Sequence, residues 1–174
     1  MRVPPAPDRP SPQVHTHGRE VSMSGTPSTP PRRPGASLDA NAGYFAHDAD
    51  IGVVGRGATV EEAFVNCARA LFAITADPAA LRPSEHFEVA FEEEDLELAL
   101  VTWLNLLLPE ARCRGLALGR FALERDGPGW RGTAWGEPWR PEIERGVEVK
   151  GATLTMLSVR QANGAWEARC VVDV

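Results

Sequence analysis

The sequence contains a single lysine, Lys150, although it has 18 basic residues in all. It has only three cysteines, Cys67, Cys113 and Cys170, which are widely spaced and set among apolar neighbours. Their odd number and spacing exclude a disulfide framework and a zinc site, so we expect three small buried thiols in a reducing, cytoplasmic environment. No run of 18 apolar residues is present, which excludes a transmembrane helix.

Charge and proline are distributed unevenly along the chain. Residues 1–40 hold nine of the 15 prolines, together with five basic and three acidic side chains. This segment cannot bury enough apolar surface to fold, so we expect a disordered tail, with Met1 or Met23 as the first residue translated. Residues 41–174 form the expected folded domain and carry 13 basic and 21 acidic side chains, a formal charge of −8. This charge is unsuited to direct binding of RNA or DNA through phosphate contacts.

Two segments have the apolar spacing of amphipathic helices. Residues 60–76 follow a capping box, in which Thr59 and Glu62 satisfy free main-chain amides. The second helix begins after the acidic run 92–95, which complements the helix dipole better than it indicates a metal site. We expect Trp103 of this helix in the core and Pro109 at its end.

The remaining segments indicate strands, several of them joined by turns such as Asn163-Gly164. The strands are expected at residues 51–55, 87–91, 117–125, 130–135, 149–160 and 166–172. Two helices and about six mostly antiparallel strands predict an α+β fold in the form of a two-layer sandwich.

Two short segments offer oxygen or nitrogen ligands. His47, Asp48 and Asp50 precede the first strand, where they can bind a cation or orient a nucleophile, or simply form a polar entry to the strand. Asp173 lies beside Val174, the last residue, and such hard oxygens suit Ca²⁺ or Mg²⁺. A solvated chain end is the alternative interpretation.

Two other segments carry a carboxylate and the lysine. Glu137 either belongs to a site or caps a strand end. Lys150 stands out because arginine occupies every other basic position. A lysine is a compact point charge that can lose its proton when buried, whereas arginine is a fixed bidentate donor. No nucleophile elbow, phosphate-binding loop or dinucleotide-binding glycine motif is present, so a self-sufficient enzyme is the weaker class.

Taken in order, these segments resemble the archease family over residues 44–174. The resemblance depends on six short motifs, of which the first is Tyr-Phe-Ala-His-Asp-Ala-Asp-Ile-Gly. The six motifs lie at residues 44–52, 57–64, 94–96, 136–138, 147–153 and 172–174. The resemblance implies an archease-like fold and a cofactor protein that is not itself an enzyme.

The same resemblance implies a partner. Archeases assist the GTP-dependent RNA ligase that joins 2′,3′-cyclic-phosphate or 3′-phosphate ends to 5′-hydroxyl ends in tRNA splicing and RNA repair. They promote guanylylation of the ligase and allow multiple turnover. An acidic domain fits docking on such a basic enzyme, without direct nucleic-acid or membrane binding.

The resemblance also implies a site. A divalent cation, typically Ca²⁺, is held by Asp50, Asp173 and Val174, and Lys150 acts in activation of the ligase. Asp50 precedes the first strand and Asp173 ends the last one, so a shared sheet edge can bring them together. The neighbours expected around this site are His47, Asp48 and Glu137.

The sequence departs from the family pattern at positions near these motifs. Asp48 replaces a usual threonine, and histidines common in the family are absent. These departures leave the metal positions intact and bear on the choice of partner. The five positions are Ala46, Asp48, Ile143, Gly151 and Thr155.

Two other functions stay open from the residues alone. A metal-dependent hydrolase would use His47 as base beside a cation at Asp50 and Asp173, and it predicts a deep pocket next to His47 and turnover without a partner. A ligand-binding or scaffold domain without metal predicts that Asp50 and Asp173 lie far apart. The sequence leaves the oligomeric state open.

Overall fold

The structure, a computed structural model, describes residues 40–47 and 50–174, and for Ala46 and His47 it describes the main chain alone. Residues 1–39 of the predicted tail and Asp48 lie outside the described residues.

The described part of the chain contains eight strands, two α-helices and a short 3-10 helix at Pro78–Ala80. None of these helices is long and apolar enough to cross a membrane. This combination of helices and antiparallel strands confirms the predicted α+β class. The elements are β1 (Ala42–His47), β2 (Asp50–Gly57), α1 (Val60–Thr75), β3 (Glu85–Glu92), α2 (Leu96–Arg114), β4 (Leu116–Asp126), β5 (Gly129–Pro138), β6 (Gly151–Ala152), β7 (Ser158–Ala162) and β8 (Ala165–Asp173).

The strands form two antiparallel sheets. The first has the order β1-β2-β8-β6, with β7 also paired to β8, and the second has the order β3-β5-β4. The turn between β7 and β8 is the predicted one, since Asn163 and Gly164 both adopt positive φ, 53° and 79°. Helix α1 packs against β2 and β8 of the first sheet and β4 of the second, so one core joins both sheets.

The predicted strand at residues 149–160 is wrong, because it is divided into β6 and β7. Residues 153–157, which connect β6 to β7, are not part of a strand. The amide and hydroxyl of Thr153 both donate to the carbonyl of Val171, at 2.9 Å each. Met156 then adopts a left-handed φ of 51°, which turns the chain.

Helix α1 starts at the predicted capping box. The Thr59 hydroxyl accepts from the Glu62 amide at 3.2 Å, and the Glu62 carboxylate accepts from the amide of Ala58 at 2.7 Å. Ten of the 16 residues of the helix are buried, so its position is set by packing on more than one side.

Helix α2 is capped by Asp95, whose carboxylate accepts from the amides of Glu97 and Leu98. The prediction that Pro109 ends this helix is wrong, since the helix continues to Arg114. Pro109 removes one helical hydrogen bond, but the buried Leu108 and Ala111 on either side keep this part of the helix in the core. The helix ends instead where Gly115 adopts a left-handed φ of 65°.

The core is built around tryptophan, as predicted for Trp103, which is fully buried. Trp130 of β5 stacks between Phe64 of α1 and Phe91 of β3, with ring centroids 5.1 Å and 5.9 Å apart. The buried indole nitrogen of Trp130 donates to the carbonyl of Glu93 at 2.9 Å, so its polar atom is satisfied.

The cysteines differ from the prediction at one position. Cys67 and Cys170 are buried, but Cys113 is exposed on α2 between two arginines, so its predicted burial is wrong. Burial raises the pKa of the Cys67 thiol well above its usual value, and it raises the pKa of Cys170 to about 12. Both buried thiols therefore stay protonated and behave as small apolar groups.

Gly55 allows the backbones of β2 and α1 to touch. A Cβ atom at this position would lie 2.2 Å from the Ala63 carbonyl oxygen and 2.3 Å from the Cys67 nitrogen. Main-chain atoms cannot move aside as a flexible side chain can. Any side chain at position 55 would therefore push the strand away from the helix.

We predict that Gly55→Ala destabilises the protein by about 1–3 kcal/mol, because the added methyl group overpacks this contact. Urea denaturation followed by tryptophan fluorescence measures the change. Gly43→Ala is the matched control, since a Cβ there meets only a side-chain atom of Val54 at 3.5 Å. Equal stability of the two variants would contradict the close approach.

Candidate functional site

Three segments that are far apart in sequence meet at one end of the first sheet, because β8 has neighbours on both sides. On one side, β2 pairs with β8 from Ile51 opposite Val172 to Gly57 opposite Trp166. On the other side, β6 pairs with the end of β8, with Gly151 opposite Asp173. The end of β8 therefore lies between the start of β2 and the start of β6.

Asp50 and Asp173 are brought together by this pairing. Asp50 is the first residue of β2 and Asp173 the last residue of β8. Continuing the register by one residue beyond Ile51 and Val172 places the two aspartates opposite each other. Opposite residues of antiparallel strands have Cβ atoms about 4.5–5.5 Å apart and share one face of the sheet. This extension of the register disagrees with the wide separation that a scaffold domain without a metal predicts.

The same row of the sheet includes the main chain of His47, which pairs with Asp50 across β1 and β2. Residues His47, Asp50, Asp173 and Gly151 thus lie side by side on the neighbouring strands β1, β2, β8 and β6. The predicted neighbour Asp48 lies outside the described residues. The histidine and both aspartates of the predicted site thus occupy one level of the sheet.

Lys150 contacts the end of β8 through its main chain and its side chain. Its amide donates to the carbonyl of Asp173 at 2.8 Å. Its ammonium Nζ donates to the main-chain oxygen of Val174 at 3.0 Å, while the side chain stays exposed. The only lysine of the chain is therefore held at the site that the two aspartates define.

The donor set consists of oxygen atoms. Within residues 40–47 and 50–174, no group of three or more His, Cys, Asp or Glu side chains is arranged to hold a metal ion. What the chain offers is two carboxylates and the main-chain oxygen of Val174, which accepts from Lys150. Like charges directly opposite on a sheet repel, and a hard cation would relieve that repulsion. The chemistry of these oxygens suits a divalent cation, whose coordination would have to be completed by water or by further oxygen ligands.

Glu137 lies in β5 of the second sheet, whereas both aspartates lie in the first. It is 7% exposed, and its oxygens accept from the Arg82 amide at 2.7 Å and from Arg140 Nε at 3.0 Å. Hydrogen bonds from Arg140 and then from the Arg82 amide hold the pKa of this carboxyl below its usual value. These contacts make Glu137 an anchor for the segments around Arg82 and Arg140.

We predict that Glu137→Gln lowers the urea denaturation midpoint at pH 7, and that the deficit shrinks on acidification. A carboxyl with a depressed folded-state pKa stabilises the fold above its unfolded pKa, and this contribution is lost as pH falls through the folded pKa. The difference from wild type should therefore be full above pH 4.5, shrink as the pH falls below that value, and vanish only once the pH has passed the depressed folded-state pKa. Glu142→Gln, an exposed partner of the same arginine, is the control. A deficit that does not depend on pH would contradict this role.

A cavity of about 420 Å³ lies between the end of α2 and residues 145–149. Trp139 and Arg145 line it, and the Arg145 guanidinium lies 4.0 Å from the centroid of the Trp139 ring. Asp50 and Asp173 do not line this cavity. It is therefore not the pocket that the hydrolase alternative requires.

Three of the family departures have clear places in the fold. Ile143 is buried against Ala76, Leu81 and Ala117. Gly151 pairs with Asp173, and the Thr155 carbonyl accepts from the amide of Val171 at 3.1 Å. For Ala46 the structure describes the main chain of β1 alone.

Sequence reasoning missed two residues of α2 that contact the Lys150 segment. Asn105 bonds through its side-chain amide to the main chain of Ala152, and Arg112 donates to the carbonyls of Val149 and Lys150. The available signal was their spacing of seven residues, which places two polar side chains on one face of a helix that is otherwise largely apolar.

Sequence comparison identifies relatives across the same part of the chain. Residues 43–174 match the archease protein family (MTH1598/TM1083). Protein archease of Saccharolobus solfataricus is 33% identical over 134 residues, which cover 75% of this chain and 96% of the relative. Protein archease of Aeropyrum pernix is 31% identical over 134 residues, covering 74% of this chain and 93% of the relative.

Solved structures share the fold. The solution structure of Methanobacterium thermoautotrophicum protein 1598 superimposes with a TM-score of 0.67 and 28% identity, covering 77% of this chain and 99% of that one. A Thermotoga maritima crystal structure, described as an archease and possible chaperone, gives a TM-score of 0.53 at 23% identity and covers 75% of this chain and 94% of that one.

Proposed function

Because the chain belongs to the archease family, we propose that it activates a GTP-dependent RNA ligase in the cytoplasm. The ligase joins 3′-phosphate or 2′,3′-cyclic-phosphate ends to 5′-hydroxyl ends in tRNA splicing or RNA repair. In this proposal the protein has no turnover of its own and promotes guanylylation and repeated turnover of its partner. The observation that carries the proposal is the meeting of Asp50, Asp173 and Lys150 at one end of the sheet.

A divalent cation, Ca²⁺ in the first instance, is the proposed cofactor, held by Asp50, Asp173 and Val174. When bound, such a cation supplies fixed positive charge and open positions for oxygen ligands. Asp50 and Asp173 supply the negative charge from two adjacent strands. Lys150 orients the main-chain oxygen of Val174 by donating to it.

The exposure of the site supports action on a partner. Lys150 and Asp173 are exposed, so a second protein can reach both. The adjoining loop presents Leu154, 65% exposed, and Met156, 45% exposed. Exposed apolar side chains beside a polar site fit a protein interface. The charge of −8 on residues 41–174 complements a basic RNA-binding enzyme, so the RNA connection runs through the ligase.

We predict that the protein raises multiple-turnover ligation when it is added to its cognate ligase with GTP and Mn²⁺. The substrate is an RNA pair with 3′-phosphate and 5′-hydroxyl ends, with the RNA in excess over the ligase. Asp50→Ala and Lys150→Ala should return the yield to that of the ligase alone, because each removes one charge of the site. Labelled guanylate on the ligase reports the same step directly.

Arg160→Ala is the control for this experiment, since Arg160 is an exposed basic residue in β7 of the same sheet. It should activate the ligase as wild type does. Activation by Lys150→Ala or Asp50→Ala equal to that of wild type would contradict the proposal. So would turnover of a small substrate by this protein alone.

We also predict that Ca²⁺ raises the melting temperature of the wild-type protein. Ligands that bind only the folded state stabilise it according to their concentration relative to Kd. Asp50→Asn and Asp173→Asn should lose this calcium-dependent gain while remaining at least as stable as wild type without calcium, because each removes a like-charge repulsion. Asp126→Asn, an exposed position at the end of β4, should keep the gain. A melting temperature that calcium leaves unchanged would contradict the cation site.

A further inference from the structure

Lys150 precedes a strand of only two residues, so the sheet alone holds it weakly. β6 consists of Gly151 and Ala152, and it follows a stretch without helix or strand from Trp139 to Lys150. From Asn105 and Arg112, which reach this segment from α2, we infer that helix α2 positions Lys150 for its action on the ligase. This inference rests on the proposed function, and it assigns Asn105 and Arg112 as positioning residues.

Asn105 replaces the neighbouring strand that β6 lacks. Its amide nitrogen Nδ2 donates to the Ala152 carbonyl at 3.0 Å, and its Oδ1 accepts from the Ala152 amide at 2.8 Å. The N–H and C=O of one residue point to the same side of a strand, so Asn105 satisfies both groups on the edge that faces away from β8. A short edge strand is thereby bonded on both sides.

Arg112 holds the chain immediately before β6. Its Nη2 donates to the carbonyls of Val149 and Lys150, at 2.5 Å and 3.2 Å. The Arg112 Nε also lies 3.9 Å from a carboxylate oxygen of Glu148, but both side chains are largely exposed, and such pairs contribute little. The bonds to main-chain carbonyls are therefore the part of the contact that fixes Lys150.

The spacing of the two residues matches the segment that they hold. Seven residues of an α-helix rise about 10.5 Å. The three steps from Val149 to Ala152 span about 10 Å in extended chain. Residues 149–152 can therefore lie extended along α2 with one contact at each end. The helix acts as a template that sets both the path and the register of this segment.

Lys150 is consequently fixed from two directions. On the β8 side its amide donates to Asp173, and its ammonium donates to Val174. On the α2 side its carbonyl accepts from Arg112. Removing the contact on the α2 side leaves the lysine attached to β8 alone, while Asp50 and Asp173 keep their own strands.

The decisive experiment compares Arg112→Leu with wild type in ligase activation. Leucine at position 112 keeps an apolar side chain on α2 and removes all the N–H donors of the guanidinium group. We expect maximal activation to fall on the order of 10-fold, since small displacements of a functional group cost that much or more. The concentration needed for half-maximal activation should stay unchanged, because the surface that docks on the ligase is intact. Arg112→Lys, which keeps one donor, should restore part of the loss.

The single lysine allows its position to be observed without the ligase. Labelling with ¹³C-lysine gives one Cε resonance, which belongs to Lys150. In Arg112→Leu and in Asn105→Ala this resonance should move towards the value of a free lysine and sharpen, while the amide spectrum of β2 and α1 stays unchanged. A general structural defect would instead disturb both regions.

Arg114→Leu is the matched control, because it makes the same change of residue and charge two positions along the same helix. Arg114 pairs with Glu110 and lies over the Phe87 ring, so its contacts are with other residues than those of the Lys150 segment. It should leave maximal activation and the lysine resonance as in wild type. If Arg112→Leu fails to fold, Asn105→Ala carries the comparison in both measurements. Arg112→Lys then serves in the ligase assay only, because it adds a second lysine resonance.

Distinct results separate this inference from the proposed function. Wild-type activation and an unchanged lysine resonance in Arg112→Leu and Asn105→Ala would overturn the positioning role. A loss of maximal activation in Arg112→Leu that is no larger than the loss in Arg114→Leu would also overturn the positioning role. Full activation by Lys150→Ala would contradict the proposed function instead, and the lysine resonance would still test whether α2 positions the segment.

Discussion

The pairing of β8 on both of its sides is the constraint on which the site depends. β2 lies on one side and β6 and β7 on the other, so the last strand of the chain becomes an interior strand of the first sheet. Val172 is fully buried and pairs with Ile51 and with Ala152, which fixes the two neighbouring strands at one level. The next residue, Asp173, is exposed at the end of this level. Apolar burial and main-chain pairing therefore bring Asp50, Lys150 and Asp173 to the same end of the sheet, and the polar contacts of their side chains are not required for this.

The register of β2 is set by the same core. Gly55 brings its backbone against α1, and α1 is buried against both sheets. A slip of one residue in β2 would place a side chain at this contact and would turn every other side chain to the opposite face. Asp50 is therefore held opposite Asp173 by packing that lies five residues away. This packing keeps the two aspartates at one end of the first sheet, where like charges on adjacent strands would oppose each other.

Local signals in the sequence predicted local features of the structure. Thr59 and Asn163-Gly164 each act within four residues and have the expected cap and turn, and the acidic run before α2 ends in Asp95, which caps that helix. The end of α2 was missed because buried residues beyond Pro109 outweigh one lost hydrogen bond. The strand partners of β8 and the division into two sheets depend on contacts between distant residues, for which one sequence has no signal. For the site, the positions of Asp50 and Asp173 at strand ends were predictable, but the contacts of Asn105 and Arg112 with residues 149–152 were not, since a helix and an edge segment meet there only in the folded chain.

The chemistry of the two basic side chains explains their different places at this site. Arg112 is a fixed planar donor, and it bonds to two successive main-chain carbonyls from one nitrogen. Lys150 carries a compact charge on a flexible stem, so its ammonium can reach the Val174 oxygen while it stays exposed. An arginine at position 150 would spread its charge over a larger plane and would require several acceptors around it. A chain that uses arginine at its 17 other basic positions thus has its one lysine where a single-point donor reaches the Val174 oxygen and stays exposed.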